Sequence, residues 1–176
     1  MPMLSEIALR PPRYITFIYL VQISNIMIIT ICSSVDFTPK IIEIKKELEN
    51  KGHKVNIPYF TQKIIDGEVS YEEYMKSKEK DGGDILLRQA QSMDMIKRYW
   101  DFIRNSDAIL VLNIHKKGID NYIGGSTLME MGFAYGHGKK IFLFNSIPER
   151  SERMHYVDEI IDMKPIILNG DLDNIK

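Results

Sequence analysis

The segment Ala108–Asn113 (AILVLN) is a continuous apolar run, and that constrains the fold most. A strand that is apolar on both faces needs cover on both faces, which an all-parallel sheet between helices provides. Two other segments read the same way: Ile26–Ile31, followed at once by Ser-Ser and a helix, and Lys140–Phe144. Lys54–Ile57, stopped by Pro58, and Pro165–Leu168 supply two shorter strands.

Helices separate the strands. Thr38-Pro39 starts the first, with Thr38 as cap and Pro39 at the first helical position. Ile41, Ile44 and Leu48 then recur at three and four, and Gly52 ends the helix. Thr61–Gly83 reads as polar and irregular, with one helix at Tyr71–Glu79, and is the expected place for a mobile lid or substrate loop. Leu86, Gln89, Met93, Ile96, Trp100 and Ile103 alternate steps of three and four, the core-facing stripe of one long amphipathic helix. Ser126–His137 and Tyr156–Met163 complete the set. The expectation is an α/β fold: a doubly wound, five-stranded parallel sheet in a flavodoxin-like or Rossmann-like three-layer sandwich.

Composition excludes several classes. Lys plus Arg (23) against Asp plus Glu (24) leaves a net charge of -1, so no bulk field draws the chain to nucleic acid. Cys32 is the single cysteine and cannot close an intramolecular disulfide, which fits a cytoplasmic setting. The four histidines are scattered, with no HExxH and no Cys partner set, which argues against a structural zinc site; no metal and no cofactor is expected. Tyr14–Cys32 is long enough to span a membrane, but Thr16, Gln22, Ser24, Asn25 and Thr30 interrupt it, and a non-membrane protein is expected. Residues 1–25 read as an appendage, either an extra strand or sequence upstream of a start at Met27; residues 26–176 form the domain.

In such sheets the ligand lies beyond the carboxyl ends of the strands. Ser33, Ser34 and Asp36 after the first strand fall there, as does the loop from Asn113 to Thr127. Gly124, Gly125, Ser126 and Thr127 precede a helix whose free N–H groups suit a phosphate or a sugar hydroxyl. GHGKK at Gly136–Lys140 is not a Walker A loop: no Gly stands five before Gly138, and Lys140 follows the Lys. Nor does a Ser/Thr-rich phosphate loop follow the first strand, as a flavin carrier of flavodoxin type requires. Glu130 has two readings. Thr127-x-x-Glu130 has the form of a capping box. Glu130 also sits among Leu128, Met129, Met131 and Phe133 at the ligand edge, where a poorly solvated carboxylate suits a nucleophile or general base.

ITICSSVDF, SDAILVLN and above all GGSTLMEMGFAYGHGKKIFLF resemble the nucleoside 2-deoxyribosyltransferase family and its relatives, the deoxynucleoside 5'-monophosphate N-glycosidases, over Met27–Leu168. The resemblance implies cleavage or transfer of an N-glycosidic bond, with Glu130 attacking C1' of deoxyribose and Thr127, Gly132 and Ala134 in step with the family motif. It implies that Ser33, Ser34 and the glycine loop touch a small-molecule nucleoside or nucleotide, and that the protein is a homo-oligomer, most simply a dimer. It also implies an acid on the helix before the buried strand. The matching register holds Tyr99, so Asp101 is the candidate, with Asp94, Asp36 and Asp120 as alternatives. Asp107, at the start of the strand, reads as structural. The rival expectation is a non-catalytic nucleotide-binding or sensor module on the same fold.

Overall fold

The computed structural model describes residues 26–80, 88 and 92–176. The N-terminal appendage, and Leu86 and Gln89 of the expected helical stripe, lie outside these residues. Five strands, β1 (Ile28–Cys32), β2 (Lys54–Asn56), β3 (Ala108–Val111), β4 (Lys140–Leu143) and β5 (Ile166–Ile167), form one sheet in the order β2-β1-β3-β4-β5. Every pairing is parallel. Helix α1 (Thr38–Asn50) joins β1 to β2, and α2 (Tyr59–Ile65), α3 (Tyr71–Lys80) and α4 (Met95–Arg104) lie between β2 and β3. Helices α5 (Gly125–Gly136) and α6 (Val157–Asp162) follow β3 and β4. This is the doubly wound α/β sandwich, in its flavodoxin-like strand order.

Alternation along the strands divides the core in two. Ala108 and Leu110 of β3 and Phe142 of β4 face Ile41, Ile44 and Leu48 of α1. Ile109 and Val111, with Ile141 and Leu143, face the other layer, built by Ile103, Met131, Ala134 and Ile160. The residues of β3 are buried throughout, as its uninterrupted apolar run requires. Among the described residues no helix is long and apolar enough to cross a membrane.

Gly52 ends α1 with φ +92°. Its N–H donates to Glu49 O at 2.9 Å and the His53 N–H to Leu48 O at 3.1 Å, the paired bonds of a Schellman stop. Gly52→Ala is expected to lower stability by about 1–2 kcal/mol, because a Cβ disfavours this left-handed backbone. The nearest atoms to that Cβ, on Ile26, stand at an ordinary 3.6 Å, so any loss comes from the dihedral. A chemical-denaturation midpoint for the variant equal to wild type would refute this.

Four local expectations need correction. Thr38 is the first residue of α1 rather than its cap, and its hydroxyl turns back to donate to Val35 O at 2.7 Å. The Thr127-x-x-Glu130 capping box does not form: Gly124 is the N-cap of α5, with no side-chain cap. The long helix does not run unbroken, since Asp94 stands at φ 51° just before α4. Of its stripe Ile103 is buried, while Ile96 is 56% exposed; Tyr99 takes the inward place instead. Finally, α2 occupies the start of the segment expected to be irregular, and Thr61, fully buried, shares a 2.9 Å hydroxyl contact with Thr38.

Candidate functional site

In the order β2-β1-β3 the chain leaves β1 in one direction and β3 in the other, and the loops part between them. That switch point is where a doubly wound sheet opens a crevice. Here the crevice is a cleft of about 440 Å³. Ser33 and Ser34 follow β1 into it, Gly124–Thr127 bring the start of α5, and Glu130 stands one turn further along that helix. Seven of the expected site residues therefore meet: Ser33, Ser34, Gly124, Gly125, Ser126, Thr127 and Glu130.

Glu130 is the unusual group. Its Oε2 is buried and has no hydrogen-bond partner. A buried polar atom without a partner is costly, and sites for ligands are one of the few places where it persists. Burial pushes the carboxyl up to about 8, and the Cys32 thiol beside it works in the opposite direction. Cys32 is itself fully buried, and burial and the Glu130 charge push its thiol well above the ordinary range. Tyr99 completes the cluster from α4. Its hydroxyl donates to Ile31 O, and burial, with the charges of Cys32 and Glu130, pushes it well above the usual tyrosine range.

Three other expected residues do different work. Asn113 is fully buried but does not line the cleft. Its Nδ2 donates to Ser146 O at 2.8 Å and to Asn145 O at 3.3 Å, and its Oδ1 accepts from Asn145 N at 2.9 Å. It is a bracket between the loops after β3 and β4. Asp36 sits behind the lining, where Lys116 (2.6 Å) and Lys78 both pair with it. Burial acts to raise its carboxyl, but hydrogen bonds from and charges of the two lysines prevail and hold it below the usual range. Asp101 lies on a second hollow, lined also by Asn56, Gln62 and Phe102, and pairs with Arg104 at 2.9 Å. Of the alternative acids, Asp120 pairs with His115 at 2.6 Å, and neither it nor Asp94 lines the cleft. Asp107 holds the sheet, its Oδ2 accepting from Ile28 N at 2.7 Å.

The sequence reading passed over Lys116. Lys117 (φ 55°) and Gly118 (φ 74°) make a tight turn, closed by reciprocal 3.0 Å bonds between Lys116 and Ile119. The turn sends the Lys116 side chain over the cleft to Ser34 Oγ at 2.6 Å. A lysine in a loop at the ligand edge was the available signal. Aromatic walls from Phe37, Tyr59, Phe60 and Tyr122 also escaped notice, because contacts between distant loops leave no periodicity.

Fold and cleft together define an α/β protein with a switch-point cleft that holds a buried carboxyl group. In comparisons with known proteins, no family model, no curated protein and no solved structure matches the chain. Among the described residues no group of His, Cys, Asp and Glu has the form of a metal site.

Proposed function

We propose that this cleft cleaves or transfers the N-glycosidic bond of a deoxynucleoside or deoxynucleoside 5'-monophosphate, with Glu130 as the nucleophile. One observation carries the reading: a buried, partnerless carboxyl oxygen at the sheet's ligand edge, beside a glycine-rich helix start. In the reaction, an ionised Glu130 oxygen bonds to C1' as the bond from C1' to the base nitrogen breaks. The base leaves with that electron pair and takes a proton. Water, or a second base, then displaces Glu130 from C1'. Ser33, Ser34, Ser126 and Thr127 orient the sugar. The sequence resemblance supports the reading, and its family's habit of sharing sites across subunits makes a homo-oligomer part of the proposal.

The test is chromatography after incubation with each deoxynucleoside and deoxynucleotide, read as free base. The pH profile adds a sharper expectation. Attack needs the ionised carboxylate, while burial favours the neutral acid up to about 8. Below that point kcat/KM is expected to climb about tenfold per pH unit, then level off. A profile that is flat from acid to alkaline pH would remove Glu130 ionisation from the mechanism.

A second reading has its own observation. Glu130 is the sole carboxylate among the described residues that line the cleft, and the Tyr99 hydroxyl is already donating to the backbone. A site that supplies no acid to the departing base suits a nucleotide-binding or sensor module. Saturable nucleotide binding with no base released from any substrate would favour it.

A further inference from the structure

Leaving-group chemistry limits what this cleft can cleave. A neutral base departs from C1' as an anion unless an acid protonates it, and such proton transfer contributes about a hundred- to ten-thousandfold in rate. Among the described residues that line the cleft Glu130 is the sole carboxylate, and as the nucleophile it cannot also be that acid. Tyr99 already donates its hydroxyl proton to Ile31 O. Lys116, the other charged side chain on the lining, is bonded to Ser34 Oγ at 2.6 Å and, behind the lining, to Asp36 at 2.6 Å. Glu130 itself has no counterion among the described residues. Its Oε2 is buried without a partner, and its neighbours Cys32 and Tyr99 hold their own protons tightly. Rings of Phe37, Tyr59, Phe60 and Tyr122 supply the walls, and aromatic faces favour cations. The Lys116 ammonium stands 5.6 Å from the centre of the Phe37 ring and 6.0 Å from that of Tyr122.

We infer that the cleft takes N-glycosides whose base is a cationic heteroaromatic ring, an N7-alkylated purine or a pyridinium, and that such a base leaves without an acid. The inference rests on the glycosidase reading and narrows its substrate class. As a Glu130 oxygen bonds to C1', the bond from C1' to the ring nitrogen breaks and its electron pair cancels the charge of the ring. The base departs as a neutral molecule, and no proton is required. Water then attacks C1', the ester bond breaks, Glu130 leaves as a carboxylate and the proton of the water passes to solvent. Before that reaction the positive ring is the missing partner of the buried carboxyl group, a role that a neutral base does not fill. Burial holds the Glu130 proton up to about 8, and a cation beside the group favours its ionised form, so binding at neutral pH releases a proton.

The experiment measures base release by the full chain from 7-methyl-2'-deoxyguanosine, nicotinamide 2'-deoxyriboside and neutral 2'-deoxyguanosine, each as the enhancement over spontaneous hydrolysis. Expected is an enhancement about a hundred- to ten-thousandfold larger for at least one cationic ring, and the ring that gains it identifies the source. If neither cation is enhanced more than the neutral nucleoside, the inference is overturned while the glycosidase reading stands. Calorimetric titration adds a readout without chemistry, using rings that carry no sugar: 7,9-dimethylguanine against 9-methylguanine, and 1-methylnicotinamide against nicotinamide. One cation is expected to bind about tenfold tighter than its neutral counterpart, with a proton released, and to lose that advantage in Glu130→Gln. The proton release is read on wild type and needs no variant. Equal binding of charged and neutral rings, or a preference that survives Glu130→Gln, would overturn the inference. If a cation binds through Glu130 but no ligand yields free base, the glycosidase reading fails and the choice of a cationic ring stands. If nothing binds and nothing is released, both fall.

Discussion

Glu130→Gln is expected to reduce base release by several orders of magnitude and, above neutral pH, to raise the melting temperature. The two effects have one origin. An amide cannot form the ester at C1', so the chemical step is lost while the shape of the site is kept. For stability, the folded chain holds a proton on Glu130 up to about 8, whereas the ordinary value is 4.5. A group raised in the folded state contributes fully below the lower value. That contribution is lost as pH climbs towards 8 and is flat beyond it, because the unfolded chain no longer binds the proton. Gln is neutral throughout. The variant and wild type are therefore expected to melt together near pH 4.5 and to separate progressively up to pH 8, by on the order of a few kcal/mol. A wild-type advantage at pH 9 would mean that the carboxylate finds a partner when ionised. Base release undiminished in Glu130→Gln would defeat the glycosidase mechanism.

Asn113→Ala is expected to cost about 2–4 kcal/mol and to loosen the cleft from behind, although Asn113 does not line it. The substitution removes three bonds and leaves the Asn145 N–H, the Asn145 carbonyl and the Ser146 carbonyl without their partner. The Asn145 Nδ2 bond to the Asn113 carbonyl, at 2.9 Å, uses backbone and survives. The loops after β3 and β4 are then tied by one bond where there were four. Unfolding by denaturant gives the energy, and faster hydrogen exchange confined to both loops separates a bracket from a ligand contact. If stability were unchanged and only ligand affinity fell, Asn113 would be a binding residue after all.

What the sequence determined lies in its short-range patterns. The run AILVLN, the three-and-four spacing of Ile41, Ile44 and Leu48, and the stop at Gly52 each act through neighbouring residues or one face of one element. Those patterns were sufficient for the strand and helix series, the doubly wound class and the ligand edge, and they placed Glu130 at that edge. Where the local pattern misled, a distant contact or the backbone itself had won. Thr127-x-x-Glu130 has the spacing of a capping box, yet Gly124 caps α5 and the Glu130 carboxyl lies in the cleft. The Leu86–Ile103 stripe fails at Asp94, where the backbone turns left-handed before α4. Only the tertiary structure decided who meets whom. It set Tyr99 and Cys32 beside Glu130, brought Lys116 onto Ser34 across 82 positions of sequence, and turned Asn113 and Asp36 from expected ligand contacts into braces. The physical reason is range. Hydrophobic periodicity is written in every few residues, whereas the partner of a buried charge or amide comes from whichever loop the sheet order carries past it.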